Sequence, residues 1–328
     1  MLFNYLFKTM TVSASILLGH AALAQSFPTK PINVVVPYPA GGAADFVARF
    51  MTKEMTTTLK QPMLVDNVTG VGGALGVMKA LNATPDGYTM MSSDIAALIT
   101  TPLTNVNAKY KPEEIKTVAM LGQADIMLVV RKDLGANNLA ELIALAQKST
   151  DKPLAFCTSG IGSNYHLMAE KFNATSEIKA LHVPYNGFPQ CMTNLIGQQI
   201  DYAFLPVAGP FPGFVDNGAM KILAIAGTVP SARFPKAPLI KSSKGFEGFV
   251  FSAWAGFHVN NKVPDDVVMA LNKSARAAME TTEVKKHFAD SGSTIFPSML
   301  PSEAHAFYLR EVATYRAIAK AINLQPQQ

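Results

Sequence analysis

The chain has 328 residues, 49% of them hydrophobic and 16% charged, with a formal net charge of +5. That composition excludes a disordered or fibrous protein and leaves room for two domains of common size. The positive charges are scattered and no basic stripe is interleaved with aromatics, so no nucleic-acid partner is expected.

Residues Met1 to Ala24 have the layout of a secretory signal peptide: Lys8 near the start, an apolar stretch from Val12 to Leu18, and Ala22-Leu23-Ala24 before Gln25. Cleavage is expected after Ala24, which would place the mature chain in the periplasm. The apolar core is shorter than the roughly 20 residues of a membrane-spanning helix. An oxidising compartment permits a disulfide between Cys157 and Cys191, and two packed thiols are the other reading.

Strands are predicted at Ile32 to Val36, Met63 to Asp66, Thr89 to Met91, Ile126 to Val130, Leu154 to Cys157, Ala180 to Val183, Tyr202 to Leu205 and Ile222 to Ala226. Helices are predicted between them at Ala43 to Leu59, Ala74 to Leu81, Leu139 to Gln147, Tyr165 to Phe172 and Pro189 to Ile196. This alternation argues for parallel sheets covered on both faces, with ligands collecting beyond the carboxyl ends of the strands. Toward the C-terminus, Phe249 to Val259 reads as a buried strand, followed by amphipathic helices over Pro264 to Met279 and Pro301 to Ile322.

Three strand ends run into helices through small or aromatic residues. The first is Val34 to Asp45, with Tyr38, Ala40, Gly41 and Gly42 in its turn and no Lys or Arg between Asn33 and Ala48. Backbone N–H groups and the positive end of a helix dipole can hold an anion there without a charged side chain. Asp45 is expected to support the dipole and pair with Arg49. The second is Phe156 to Leu167, where Thr158, Ser159, Gly160, Gly162 and Ser163 precede a helix carrying His166, again without Lys or Arg from Pro153 to Glu170. The third is His182 to Pro189, with Tyr185, Asn186, Gly187 and Phe188. Ser92-Ser93 and Phe204 complete the candidate set.

Other chemistries lack support. The glycines of Gly70 to Gly76 do not fall in G-x-G-x-x-G order, no G-x-x-x-x-G-K-[ST] occurs, and neither G-x-S-x-G nor H-E-x-x-H is present. No cofactor and no metal site is expected. An exported hydrolase using Cys157 or Ser163 with His166 is the rival reading, and a ligand-sensing partner of a membrane signalling protein is a third.

Phe27-Pro28-Thr29-Lys30-Pro31-Ile32, Val35 through Arg49, Pro85-Asp86-Gly87-Tyr88-Thr89, Gly160-x-Gly162-Ser163 with His166-Leu167, Val183-Pro184-Tyr185-x-Gly187 and Leu195 to Asp201 occur in one order. Together they resemble the solute-binding receptors of the tripartite tricarboxylate transporters, the Bug proteins. The resemblance covers nearly all of the mature chain. It implies an α/β fold of the type II periplasmic binding protein class, with two lobes and a ligand cleft between them. Lobe 1 would comprise 25–125 plus 251–328 and lobe 2 would comprise 126–250. The chain would cross near Ala124 to Asp125 and return near Phe249 to Ser252, and the C-terminal helices would pack on lobe 1. It further implies a monomeric receptor, not an enzyme, that passes an organic carboxylate to integral-membrane transporter subunits. Two departures, Leu205-Pro206 after Phe204 and the bulky Phe188-Pro189-Gln190-Cys191, make the second-lobe wall more apolar and leave room for an aromatic carboxylate.

Overall fold

The structure is a computed structural model that describes residues 27–41, 43–185 and 187–326. The signal-peptide expectation and two candidate site residues, Gly42 and Asn186, lie outside the described residues. Among those described, no helix is long and apolar enough to cross a membrane.

Strand β1 (Ile32–Val36) is apolar at every position but Asn33 because it is central, paired in parallel with β2 (Met63–Asn67) and β3 (Thr89–Asp94). Helix α1 (Ala43–Leu59) returns from β1 to β2, and α2 (Ala74–Asn82) follows the tight turn Val71–Gly73. After β3 a helical turn, Ala96–Thr100, continues into α3 (Thr101–Thr104).

The expectation of purely parallel sheets is corrected at the next strand. β4 (Ile115–Arg131) is 17 residues long and runs antiparallel to everything it touches. From Ile115 to Asp125 it pairs with β9 (Ser252–Asn260), which itself pairs antiparallel with β3. From Ile126 onward it pairs with β7 (Tyr202–Pro206) and from Met127 with β8 (Met220–Ile225). The partner changes between Asp125 and Ile126, so one strand belongs to both α/β lobes. The second lobe is completed by β5 (Leu154–Thr158), parallel to both β6 (Ala180–Pro184) and β7. Its helices are α4 (Leu139–Lys148), α5 (Asn164–Thr175), α6 (Phe188–Ile196) and α7 (Phe211–Asp216).

At the C-terminus, α8 (Asp265–Glu280) packs on α1 and β4, and α9 (Thr282–Asp290) leads to the short β10 (Thr294–Ile295) beside β4. The last helix, α10 (Pro301–Ala321), touches both β4 and α5. It therefore bridges the lobes instead of packing on the first alone. Its Glu311 accepts from Trp254 Nε1 on β9 at 2.9 Å, and Tyr315 faces Phe251 with ring centroids 6.2 Å apart. One core accordingly runs through both lobes, from Val35 and Met91 through Leu128 and Phe156 to Tyr308 and Tyr315.

His258 on β9 sits in this interior with no exposure, its Nδ1 3.2 Å from Thr117 Oγ1 and its Nε2 unpartnered among the described residues. Burial, helped by His305, lowers its pKa from the ordinary 6.5 to about 3. The unfolded chain takes up this proton near pH 6.5, whereas the folded chain resists until about pH 3. Stability present above pH 6.5 is thus lost as the pH falls toward 3, by about 3 kcal/mol between pH 6.5 and 4 from this residue alone. Thermal melts of wild type and His258→Asn across that range check this, the variant showing the shallower loss.

Candidate functional site

Beyond β1 the chain turns through Pro37 to Gly41. Tyr38 is half-buried, while Ala40 and Gly41 are exposed. Gly41 has φ +79°, the left-handed region that favours glycine, and a Cβ there would meet nothing within 4 Å. Its N–H is engaged inside the chain, donating to Asp45 Oδ2 at 2.9 Å. That oxygen also accepts from Arg49 Nε at 3.0 Å. Arg49 reaches on to Asn67 Oδ1, and Asn67 Nδ2 donates to the Tyr38 carbonyl, both at 3.0 Å. Arg49, and behind it the Gly41 amide, hold the buried Asp45 carboxyl down at about 2 against the cost of its burial. The expected Asp45–Arg49 pair forms, and it closes a ring that fixes the turn. A carboxylate of the chain itself thus takes one of the donors that the sequence suggests for a ligand.

The β5–α5 turn is similarly tied. Ser163 caps α5, accepting from His166 N at 3.2 Å and donating to Gly160 O at 2.9 Å. Thr158 Oγ1 donates to Gly160 O at 3.1 Å and lies 2.8 Å from His182 Nε2. Gly162 N donates to His166 Nδ1 at 3.0 Å, so His166 faces the underside of its own loop. His166 stacks on His182 at 4.0 Å, and burial, then His166, brings His182 down to about 4. Ser159 is half-buried and its hydroxyl makes no hydrogen bond among the described residues, leaving it as the loop's available donor. Gly162, at φ +75°, lies against the first lobe: a Cβ there would come within 2.3 Å of Thr104 Oγ1 on α3. The turn is therefore seated on the opposite lobe.

Cys157 and Cys191 form a disulfide that ties the end of β5 to the first turns of α6. The thiol needed for the hydrolase reading is consumed, and the Ser163 hydroxyl is directed at a backbone carbonyl. Tyr185 OH accepts from Asn194 Nδ2 at 2.8 Å, and Gly187 N donates to Ser159 O at 3.3 Å, which ties the third turn to the second. Phe188 meets Tyr165 edge-on at 4.8 Å and Phe211 at 5.4 Å, forming an apolar wall. Phe204 lies elsewhere, 1% exposed in the core between Phe172 and Phe249. β-strand alternation turns it away from the cleft.

A buried carboxylate outside the predicted motifs anchors the first-lobe side of the junction. Asp94 ends β3, where its Oδ1 accepts from Tyr38 OH at 2.5 Å, Ala96 N at 3.0 Å and Ala97 N at 3.3 Å. Burial raises the Asp94 pKa. Burial and then the Asp94 charge raise the pKa of Tyr38 and, from the second lobe, of Tyr165. Ser92 and Ser93 precede Asp94 and are buried, Ser93 Oγ without a partner among the described residues. Tyr38 bonds Asp94 on the first lobe, and Tyr165 packs on Phe188 in the second. The available sequence signal for Asp94 was its place directly after Ser92-Ser93, and the predicted strand stopped at Met91. Among the described residues, no group of three or more His, Cys, Asp or Glu could hold a metal ion.

Two α/β lobes joined by crossing strands, with strand-end loops meeting between them, define a type II periplasmic binding protein. The family model described as "Tripartite tricarboxylate transporter family receptor" matches residues 47–324, and the chain belongs to that family of periplasmic solute-binding receptors, which are not enzymes. It is 27% identical over 301 residues to BugT of Bordetella pertussis, covering 90% of each chain. It is 31% identical over 294 residues to an Agrobacterium vitis protein, covering 88% of this chain and 83% of that one. Among solved structures, periplasmic binding protein BugD matches with a TM-score of 0.76 at 26% identity, over 92% of this chain and all (100%) of that one. MatC from Rhodopseudomonas palustris, solved with bound malate, matches with a TM-score of 0.75 at 25% identity, over 89% of this chain and 99% of that one.

Replacing Asp45 with Ala frees the Gly41 amide and strands Arg49. The expected cost is about 1–3 kcal/mol of folding stability at neutral pH, read from urea unfolding midpoints. An unchanged midpoint would show that the ring does not hold the turn.

Proposed function

We propose that this chain is an extracytoplasmic receptor that captures an organic carboxylate between its lobes and delivers it to the integral-membrane subunits of a tripartite tricarboxylate-type transporter. The lobes are assigned to 25–125 plus 251–328 and to 126–250, and the leader is removed after Ala24 on export. The receptor works as a monomer, and its ligand is a di- or tricarboxylate or an aromatic carboxylate.

One observation carries this reading: the second-lobe turn at Gly160 to Ser163 is seated on the first lobe, where a Cβ on Gly162 would run into Thr104. Neither the first nor the second turn carries a Lys or Arg within its loop. An anion there is held by N–H and hydroxyl donors, helix dipoles and exclusion of water. Hydrogen bonds to a charged group contribute about 1.5–3 kcal/mol each, so a handful from the two lobes reach the roughly 8 kcal/mol of a micromolar complex after entropy losses. Contacts made with both lobes also bias the hinge toward closure. The malate bound to MatC belongs to that protein, and it supports the carboxylate class here through the shared family and fold. The Tyr165–Phe188–Phe211 wall supports the aromatic end of that class.

Calorimetry on the purified, ligand-stripped protein against C4 to C6 dicarboxylates, tricarboxylates and aromatic carboxylates tests the proposal. Saturable binding of one ligand per chain with a micromolar or lower Kd is expected for at least one acid. Failure of the whole panel would overturn it.

A further inference from the structure

We propose that Asp94 selects, among carboxylate ligands, those whose carbon skeleton also carries a hydrogen-bond donor, a hydroxyl or an ammonium group. The proposal rests on the carboxylate-receptor reading above and deepens it.

Asp94 sits at the carboxyl end of β3, where ligands of α/β sheets are read. Its two oxygens have different environments. Oδ1 takes three donors from its own lobe, Tyr38 OH and the amides of Ala96 and Ala97. Oδ2 takes none among the described residues, and no Lys, Arg or His among them forms an ion pair with Asp94. An ionised carboxylate offers about four acceptor positions, and Oδ2, which is not shut off from solvent, is met by water until a ligand donor replaces it.

The surroundings limit what that donor can be. From the second lobe, Tyr165 is held edge-on by Phe188, and its hydroxyl pKa is raised by burial and then by the Asp94 charge. The three donors already on Oδ1 fix the carboxylate plane, so the free oxygen keeps one direction. A ligand carboxylate pressed against it would be repelled, whereas a hydroxyl or ammonium next to the ligand's carboxylate would be drawn in. The same site rejects an acid lacking the donor, because Asp94 then loses its water and gains nothing.

Matched acids that differ only in the donor test this: malate and aspartate against succinate, and 3-phenyllactate against 3-phenylpropionate, titrated calorimetrically near neutral pH. Wild type is expected to favour the donor-bearing member of the pair it binds by about tenfold or more. In Asp94→Asn, which keeps an acceptor for Tyr38 and presents N–H groups elsewhere, the preference is expected to fall to about threefold or less while the plain acid binds as well or better. Equal binding within the pair by wild type overturns the proposal, as does a preference that survives in the variant. If Asp94→Asn does not fold, Asp94→Glu moves the acceptor by one methylene, and an unchanged ratio in it is again decisive against the assignment. Binding of plain and donor-bearing acids alike defeats only the role of Asp94; failure of every acid defeats the receptor reading itself.

Discussion

The pairing of β4 with two different sets of strands is the constraint on which the rest depends. Within one continuous strand, Asp125 pairs with Ser252 of β9 and Ile126 with Pro206 of β7. Backbone bonds fasten the crossing on either side: Val207 N donates to Asp125 O, Ala226 N to Ile126 O, and Phe251 N to Ala226 O. Because the strand is shared, the carboxyl ends of β1 and β3 must face those of β5, β6 and β7. A ligand-driven closure then has few places to act, namely a twist of β4 and β9 near their exchange of partners. Helix α10 bears on the same point through Glu311, and its contact with α5 couples the hinge to the second-lobe turn.

Facing one another across that hinge are turns whose polar groups are largely saturated by the chain. Asp45 holds Gly41, His166 holds Gly162, and Ser163 and Thr158 both donate to Gly160 O. A generic anion cradle would leave those donors free, and here several serve to fix the cradle's shape. The electrostatics follow from this arrangement. The Asp45 charge is paired with Arg49, whereas Asp94 has no ion-pair partner among the described residues, so a negative charge at the junction is opposed by Asp94 and favoured by the dipoles. Affinity then depends on a rigid geometry that keeps the ligand's charge on the donor side of each turn.

Much of this organisation was legible in the residues. Ile32 to Val36 reads as a central strand because Val34, Val35 and Val36 form a β-branched apolar run before the Pro/Gly turn, and α1, α5 and α6 announce themselves by the small and Pro residues that open them. The first half of β4 was not legible, because Lys116, Thr117, Gly122, Gln123 and Asp125 break its apolar pattern. Its stability comes from β9, far away in sequence, and local pattern carries no information about that partner. The same holds for the candidate site. Gly41, Ser159 and Phe188 follow from local turn chemistry, whereas Asp94 acquires its importance from Tyr38, 56 residues earlier, and from Tyr165 in the other lobe. Phe204 shows the opposite failure: its place near a strand end suggested the cleft, but the alternation of side chains along β7 sends it into the core.

Covalent chemistry decides how adaptable the remaining wall can be. Cys157 lies one residue before Thr158 at the end of β5, and Cys191 lies within the first turn of the helix that Phe188 opens. The disulfide therefore links the strand that presents the donor turn to the helix that presents the aromatic wall. Phe188 is further held between Tyr165 and Phe211, so its ring has packing partners on two sides. A helix free to slide could have adjusted the pocket to ligands of different length. With α6 tethered to β5, the distance from Ser159 to Phe188 is set within the lobe, and hinge closure is left as the main adjustable dimension. Selection in such a site follows the shape of the ligand's skeleton against a fixed wall as much as the polar groups that face it.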